Sequence, residues 1–265
     1  MHIIRQFYNE HAEQELGRLE RHRTEFAVSL RVMLEHLPQP PCTILDIGGG
    51  PGRYSHALAE RGYTVSMADL SDASLALAKR RAEEHGVTIQ AFHHTDAREL
   101  EGVADEGYDA ALLMGPLYHL QELDERAKAI RTARRILKPG GLLFAAFITR
   151  FAPFRNAAAV EPEWLLNNRS YAFDMLEDGI HDRGEHFPHA YFAHPDEILP
   201  LMESCQFKTK FLIGCEGIVS GFEETINTYE GEAWETWVEL NYRLGQEPTL
   251  YGASDHLLYV GRKND

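Results

Sequence analysis

The stretch Ile44-Leu45-Asp46-Ile47-Gly48-Gly49-Gly50-Pro51-Gly52-Arg53-Tyr54 holds the most structural information in the chain. It begins as an apolar, β-favouring run and then breaks into glycine. That order predicts a buried strand ending in a carboxylate, a glycine-rich turn, and a helix opening at about Arg53. Glycine has no Cβ, so such a turn reaches positive φ and lets a ligand approach the backbone. The helix behind it offers unpaired N–H groups. A loop of this kind, at the carboxyl end of a parallel strand, is where α/β sheets hold nucleotide-like ligands.

Two glycine patterns compete for the loop. The dinucleotide fingerprint G-x-G-x-x-G/A needs a small third residue to pack helix on strand. Counted from Gly48, that position is Arg53, which is too large. Counted from Gly50 and Gly52, it is Ser55, and the offset of the acid is wrong. The pattern that fits is acid-x-G-x-G-x-G, read as Asp46, Gly48, Gly50 and Gly52. It resembles the first motif of the class I S-adenosylmethionine (SAM) dependent methyltransferases. The resemblance implies SAM as cofactor. SAM lacks a pyrophosphate and carries an α-amino group and a sulfonium, so an acid that opens the loop suits it. A nicotinamide or flavin site and a structural turn that binds nothing are the alternatives.

Further segments fall in that family's order. After a helix over about 53–61, Tyr63 to Leu70 reads as a second strand ending at Asp69. A carboxylate there can accept both ribose hydroxyls, as in dinucleotide folds. Ser71 reads as the N-cap of a helix running to about His85. Val87 to Phe92 reads as strand three, followed by Thr95-Asp96-Ala97, where the family's acid meets the adenine amino group. Tyr108 to Met114 reads as strand four, running into Gly115-Pro116-Leu117-Tyr118-His119-Leu120, which is similar to the family's fourth motif. By the same resemblance the Gly115 carbonyl meets the methionine amino group. Leu137-Lys138-Pro139-Gly140-Gly141 looks like the family's post-helix turn before a strand over 142–149. The resemblance is close over 40–150 and looser beyond. It implies a doubly wound, mostly parallel, seven-stranded α/β sheet of Rossmann-like type, with an antiparallel seventh strand over about 253–262. Residues 1–265 are expected to form a single methyltransferase domain, with 1–38 as a helical lid and 150–192 as a cap insertion after strand five.

Composition narrows the partners. A formal charge of −15 argues against a phosphate-binding surface and hence against nucleic acid. No run of eighteen apolar residues is present, so no membrane span is expected, and the first residues lack a signal-peptide core. Cys42, Cys205 and Cys215 are few, odd in number and unpatterned, as in reduced thiols of a cytoplasmic enzyme. Arg131, Arg134, Arg135 and Lys138 recur at helical spacing on a solvated face.

Leu16, Leu19, Phe26, Leu30 and Leu34 recur at helical intervals in the leading segment, with Arg18 and Glu25 among the charges of its outer faces. Such a segment packs on the sheet edge or covers the cofactor, and Tyr8 is then the residue to close over it. The cap is aromatic and acidic, which favours a neutral or cationic acceptor. His181, His186, His189 and His194 crowd its end, yet their spacing matches no zinc motif, and no metal is expected. His194-Pro195-Asp196-Glu197 reads instead as a helix entrance. An acidic helical segment over about 221–244 offers a face for packing on the cap or for a homodimer.

The expected chemistry is methyl transfer to an oxygen or nitrogen of a small-molecule acceptor. His119 is the candidate base, with a pKa suited to neutral pH, and Tyr118 the candidate for shaping the pocket. The cofactor contacts expected are Asp46, Gly48, Gly50, Gly52, Asp69, Leu70, Asp96, Ala97, Gly115 and Tyr8. An RNA or protein methyltransferase and a catalytically silent SAM-binding protein are the rival readings.

Overall fold

Two helices open the chain, α1 (His2–Arg21) and α2 (Arg23–His36), with His22 between them. There follow β1 (Thr43–Ile47), α3 (Arg53–Ala59), β2 (Thr64–Asp69), α4 (Asp72–His85), β3 (Phe92–His94), β4 (Tyr108–Leu113), α5 (Leu123–Ile136) and β5 (Leu137–Ile148). The cap holds α6 (Ala152–Val160), α7 (Glu163–Asn167), α8 (Arg169–Asp178) and a short hairpin of β6 (Ile180–His181) with β7 (Ala190–Tyr191). The chain closes through α9 (Pro195–Ser204), β8 (Phe207–Gly214), α10 (Glu223–Ile226), α11 (Gly231–Leu244) and β9 (His256–Lys263). This computed structural model describes residues 2–184 and 187–264, so Glu185 and His186 of the cap lie outside the described residues.

The main sheet has the order β3-β2-β1-β4-β5-β9-β8, parallel except for β9. The order reverses between β1 and β4, and such a switch point leaves a crevice at the strands' carboxyl ends. Strands buried on both faces read as continuous apolar runs, and alternate residues serve opposite cores. Leu45, Ile47, Leu113 and Leu143 face α5 and α9. Ile44, Leu112, Phe144 and Val260 face the other way, against Val28, Val32 and Met33 of α2. Thus α2 is core, and the expectation of one lid over 1–38 divides at His22.

Three elements differ from the sequence reading. Strand three starts at Phe92, not Val87, because the Val87 N–H still bonds Ala82 O (2.9 Å) and closes α4 behind the left-handed Gly86. The turn at Lys138–Gly141 is absorbed into β5 as an irregularity, Tyr108 pairing with Leu137 and Ala110 with Leu142. The segment over 221–244 breaks into α10 and α11 at Gly231, whose φ is +54°. The helix entrance at His194 forms as read: His194 Nδ1 accepts from the Asp196 N–H (3.3 Å) and Glu197 accepts from the His194 N–H (3.2 Å). All three cysteines are buried and free. No described helix is long and apolar enough to cross a membrane.

Candidate active site

A cleft opens over the carboxyl ends of β1, β2 and β4, with α1 along one wall.

The glycine loop forms its floor. Gly48 sits at φ +71°, and a Cβ there would lie 2.6 Å from the Pro116 ring, so only glycine fits. Gly49, which the pattern left unassigned, packs so closely on Asp46 that a Cβ would sit 2.8 Å from its carboxylate. Gly48, Gly49 and Gly50 line the cleft, whereas Gly52 does not. Gly52 instead caps α3 in the left-handed region at φ +85°.

Two acids flank the loop. Asp46 is 1% exposed; its Oδ2 accepts from Ser55 Oγ (2.7 Å), and its Oδ1 has no partner. Burial pushes its pKa up to about 6, the Asp69 charge adding to the rise and Ser55 opposing it. Asp69 accepts the Gly50 N–H at Oδ2 (2.9 Å) and the Ser71 N–H at Oδ1 (2.8 Å), which fixes the carboxylate at the end of β2. Burial raises its pKa as well. Leu70, Ala97 and Gly115 line the cleft as expected, joined by Thr95 and Met114.

Asp96 is a correction. Its carboxylate is gripped by Arg98 at 3.0 and 2.6 Å and does not line the cleft; burial would raise its pKa, but Arg98 holds it below the usual value. The neighbours Thr95 and Ala97 face the cavity instead.

On the far side stand Tyr8, Tyr118 and His119. His119 Nδ1 lies 3.1 Å from the His189 carbonyl, so it carries the proton and donates. The lone pair is then on Nε2, which accepts the Tyr8 O–H at 2.7 Å. Phe187 stacks on the ring at 5.5 Å. Burial lowers the His119 pKa to about 4. Both nitrogens are engaged, which weighs against the expected base role. Tyr118 is buried beside it, and burial raises its phenol pKa. The cap reaches this corner through Phe187 and His189; its helices are absent from the lining.

The sequence reading missed one wall. Glu15, Arg18, His22 and Glu25 line the cleft, with His256 from β9. Arg18 and Glu25 had been placed on outer faces. Instead Arg18 makes a two-pronged bond to Glu15 (2.8 and 2.6 Å), and Glu25 is buried, accepting the Tyr54 O–H. Positions 15, 18, 22 and 25 recur at helical spacing, the signal that could have found them. His181 of the histidine group is structural, held by Tyr171 Oη (2.7 Å) and the Phe187 carbonyl (3.0 Å). Among the described residues no His, Cys, Asp and Glu group is arranged to hold a metal.

The residues present fit SAM. An unpartnered buried carboxylate oxygen on Asp46 suits an ammonium, Gly50 leaves open space where a Cβ would stand, and Asp69 is anchored on the same cleft with a carboxylate suited to hydroxyls.

A reversed α/β sheet with this loop at its switch point defines an enzyme-type nucleoside-cofactor fold. Residues 44–141 match a family described as "Methyltransferase domain". The chain is 30% identical over 171 residues to a ubiquinone biosynthesis O-methyltransferase of Pseudomonas syringae pv. tomato, covering 64% of this chain and 66% of that protein. A protein of the same name from Saccharophagus degradans is 29% identical over a similar span, covering 64% and 65%. The chain thus spans just under two thirds of these relatives. A SAM-dependent methyltransferase of Methanosarcina mazei superposes with a TM-score of 0.60 at 20% identity, covering 88% of this chain and 97% of that one. The 1,6-didemethyltoxoflavin-N1-methyltransferase of Burkholderia thailandensis superposes at 0.62 and 15%, covering 99% and 88%. Residues 44–141 thus match a methyltransferase domain, and the fold around them is that of the superposed SAM-dependent methyltransferases.

Proposed function

We propose that this protein transfers a methyl group from SAM to an oxygen or nitrogen of a small-molecule acceptor. The observation that carries the reading is the buried, unpartnered Oδ1 of Asp46 beside the glycine floor. Asp46 would hold the cofactor's ammonium and Asp69 its ribose, while Gly48, Gly50, Leu70, Ala97 and Gly115 shape the space between. When bound, SAM supplies an electrophilic methyl group and departs as a neutral thioether. The protein's task is then placement, which contributes roughly 7–11 kcal/mol in well-oriented pairs. Tyr118 bounds the acceptor side, and His119 positions Tyr8 as α1 closes over the cleft and excludes water.

A small acceptor is favoured by the charge of −15, which repels polyanions, and by the aromatic, largely buried acceptor side. The relatives' names favour oxygen. Calorimetry tests the cofactor: SAM and its demethylated product S-adenosylhomocysteine should bind and NAD⁺ should not. Binding of NAD⁺ alone overturns the proposal.

A further inference from the structure

The missed wall contains an arrangement to which the proposed function gives no role. His256 opens β9 opposite Ile148 at the end of β5, on the same rim as the glycine loop, and lines the cleft. Its Nδ1–H donates to Glu216 Oε1. Glu216 is fully buried, and its Oε2 accepts the His256 backbone N–H (2.8 Å) and Ser254 Oγ (2.9 Å). Among the described residues nothing bonds His256 Nε2. A carboxylate that fixes one nitrogen of an imidazole leaves the other as a directed proton acceptor.

We propose that His256, oriented by Glu216, takes the proton from an acidic hydroxyl of the acceptor, a phenol or an enol. This rests on the methyltransferase reading and names its substrate class. With His256 in its neutral form, the O–H bond breaks, its electron pair stays on oxygen as the nucleophile, and the proton bonds to the vacant Nε2. Glu216 balances the imidazolium's charge.

The surroundings match the donor. Facing His256 are Glu216 behind it, Asp255 beside it and paired with Arg155 (2.6 Å), and Glu25, 3.8 Å from Arg53. His22 stands ring to ring at 5.9 Å and is itself bonded to Glu223 (2.9 Å). Burial works against charge on His256, but Glu216 outweighs it and raises the pKa to about 9. A phenol ionises near 10, within about one unit of His256, so the transfer costs only about tenfold once His256 has lost its own proton. Turnover should rise with pH towards about 9. His119, at about 4, falls roughly a millionfold short of the same transfer.

The test uses 4-nitrophenol with the full-length protein loaded with S-adenosylhomocysteine. The phenolate absorption band reports ionisation, and NMR reports the His256 titration. The bound probe should ionise at least about one pH unit below the free compound, and His256→Gln should abolish that shift. In Glu216→Gln the His256 titration should fall from about 9 towards roughly 6.5. Affinity for S-adenosylhomocysteine should be retained in both variants, which shows that they fold. If the product does not bind the wild type, the methyltransferase reading fails. If the product binds but nitrophenol does not, or ionises unshifted, or shifts equally in His256→Gln, the His256 assignment alone is overturned. An unmoved titration in Glu216→Gln removes Glu216 as its positioning residue.

Discussion

Asp46 faces the cleft with one oxygen unpartnered, and this makes its protonation a reporter of the cofactor. Its pKa lies near 6 instead of the usual 3.8 because burial disfavours the charge. An acid with a raised folded pKa binds its proton more tightly folded than unfolded, so its contribution to stability falls as pH rises between those values. A cationic ligand favours the ionised form and reverses that preference. Cofactor affinity should therefore rise as pH climbs through about 6 and level off above it, with proton release on binding near that pH. Calorimetry across the range checks this, and Asp46→Asn should weaken binding and flatten the profile. A flat wild-type profile removes Asp46 from the ammonium contact. Asp69→Ala should weaken SAM binding by roughly 1.5–3 kcal/mol, the value of a hydrogen bond to a charged group; unchanged affinity excludes Asp69 from ribose binding. Asp46, Gly48, Gly50, Asp69 and Gly115 line the cleft on which the sequence reading placed them, because tight turns at strand ends demand fixed residue types at fixed offsets. Asp96 was misread because Arg98, two residues on, captures its carboxylate. His22 and His256 could not be paired from sequence, since only the sheet brings β9 beside β5 and α2 over both.

The two leading helices show how far periodicity carries at the level of elements. Both follow from apolar spacing, but the spacing does not separate a lid from a core helix. Val28, Val32 and Met33 of α2 are fully buried. In α1 the described buried apolar residues are Ile4 and Ala12. Polar contacts hold α1 down: Tyr8 to His119 (2.7 Å), Ser71 Oγ to Asn9 (2.7 Å) and Arg80 to Glu13 (2.5 Å). Its helical backbone is also interrupted at His11, at φ −123° and ψ 20°. Segments with few buried apolar contacts open at low free energy. Amides of α1 should exchange hydrogen faster than those of α2 in the free protein and slow when S-adenosylhomocysteine binds. Tyr8→Phe should speed α1 exchange further, at a cost of about 0.5–1.5 kcal/mol for the lost bond. Equal protection of both helices in the free protein would sink the idea of a closing lid. The break at Gly231 and the late start of β3 were illegible for a different reason. Each depends on a backbone bond or turn that side-chain hydrophobicity does not encode.

Across the whole molecule, the cleft gathers residues from Ile4 at one end of the chain to His256 near the other. Its lining includes α1, the glycine loop, the ends of β2 and β4, and the start of β9. A cofactor seated there touches elements that belong to both cores, because Asp46 and Asp69 end strands whose side chains alternate between the two faces. Binding should therefore stabilise the fold as one unit. A ligand that binds only the folded state at a hundred times its Kd adds about 2.7 kcal/mol. For a chain of this size that gain raises Tm by roughly 5–10 °C. Calorimetric unfolding with S-adenosylhomocysteine should show a rise of this order, growing with ligand concentration. NAD⁺ should leave Tm unchanged, since its pyrophosphate would meet the Asp46 carboxylate. Asp69→Ala should shrink the rise in proportion to its weaker binding. A two-step transition in which only one step moved with ligand would show that the cleft does not couple the two cores.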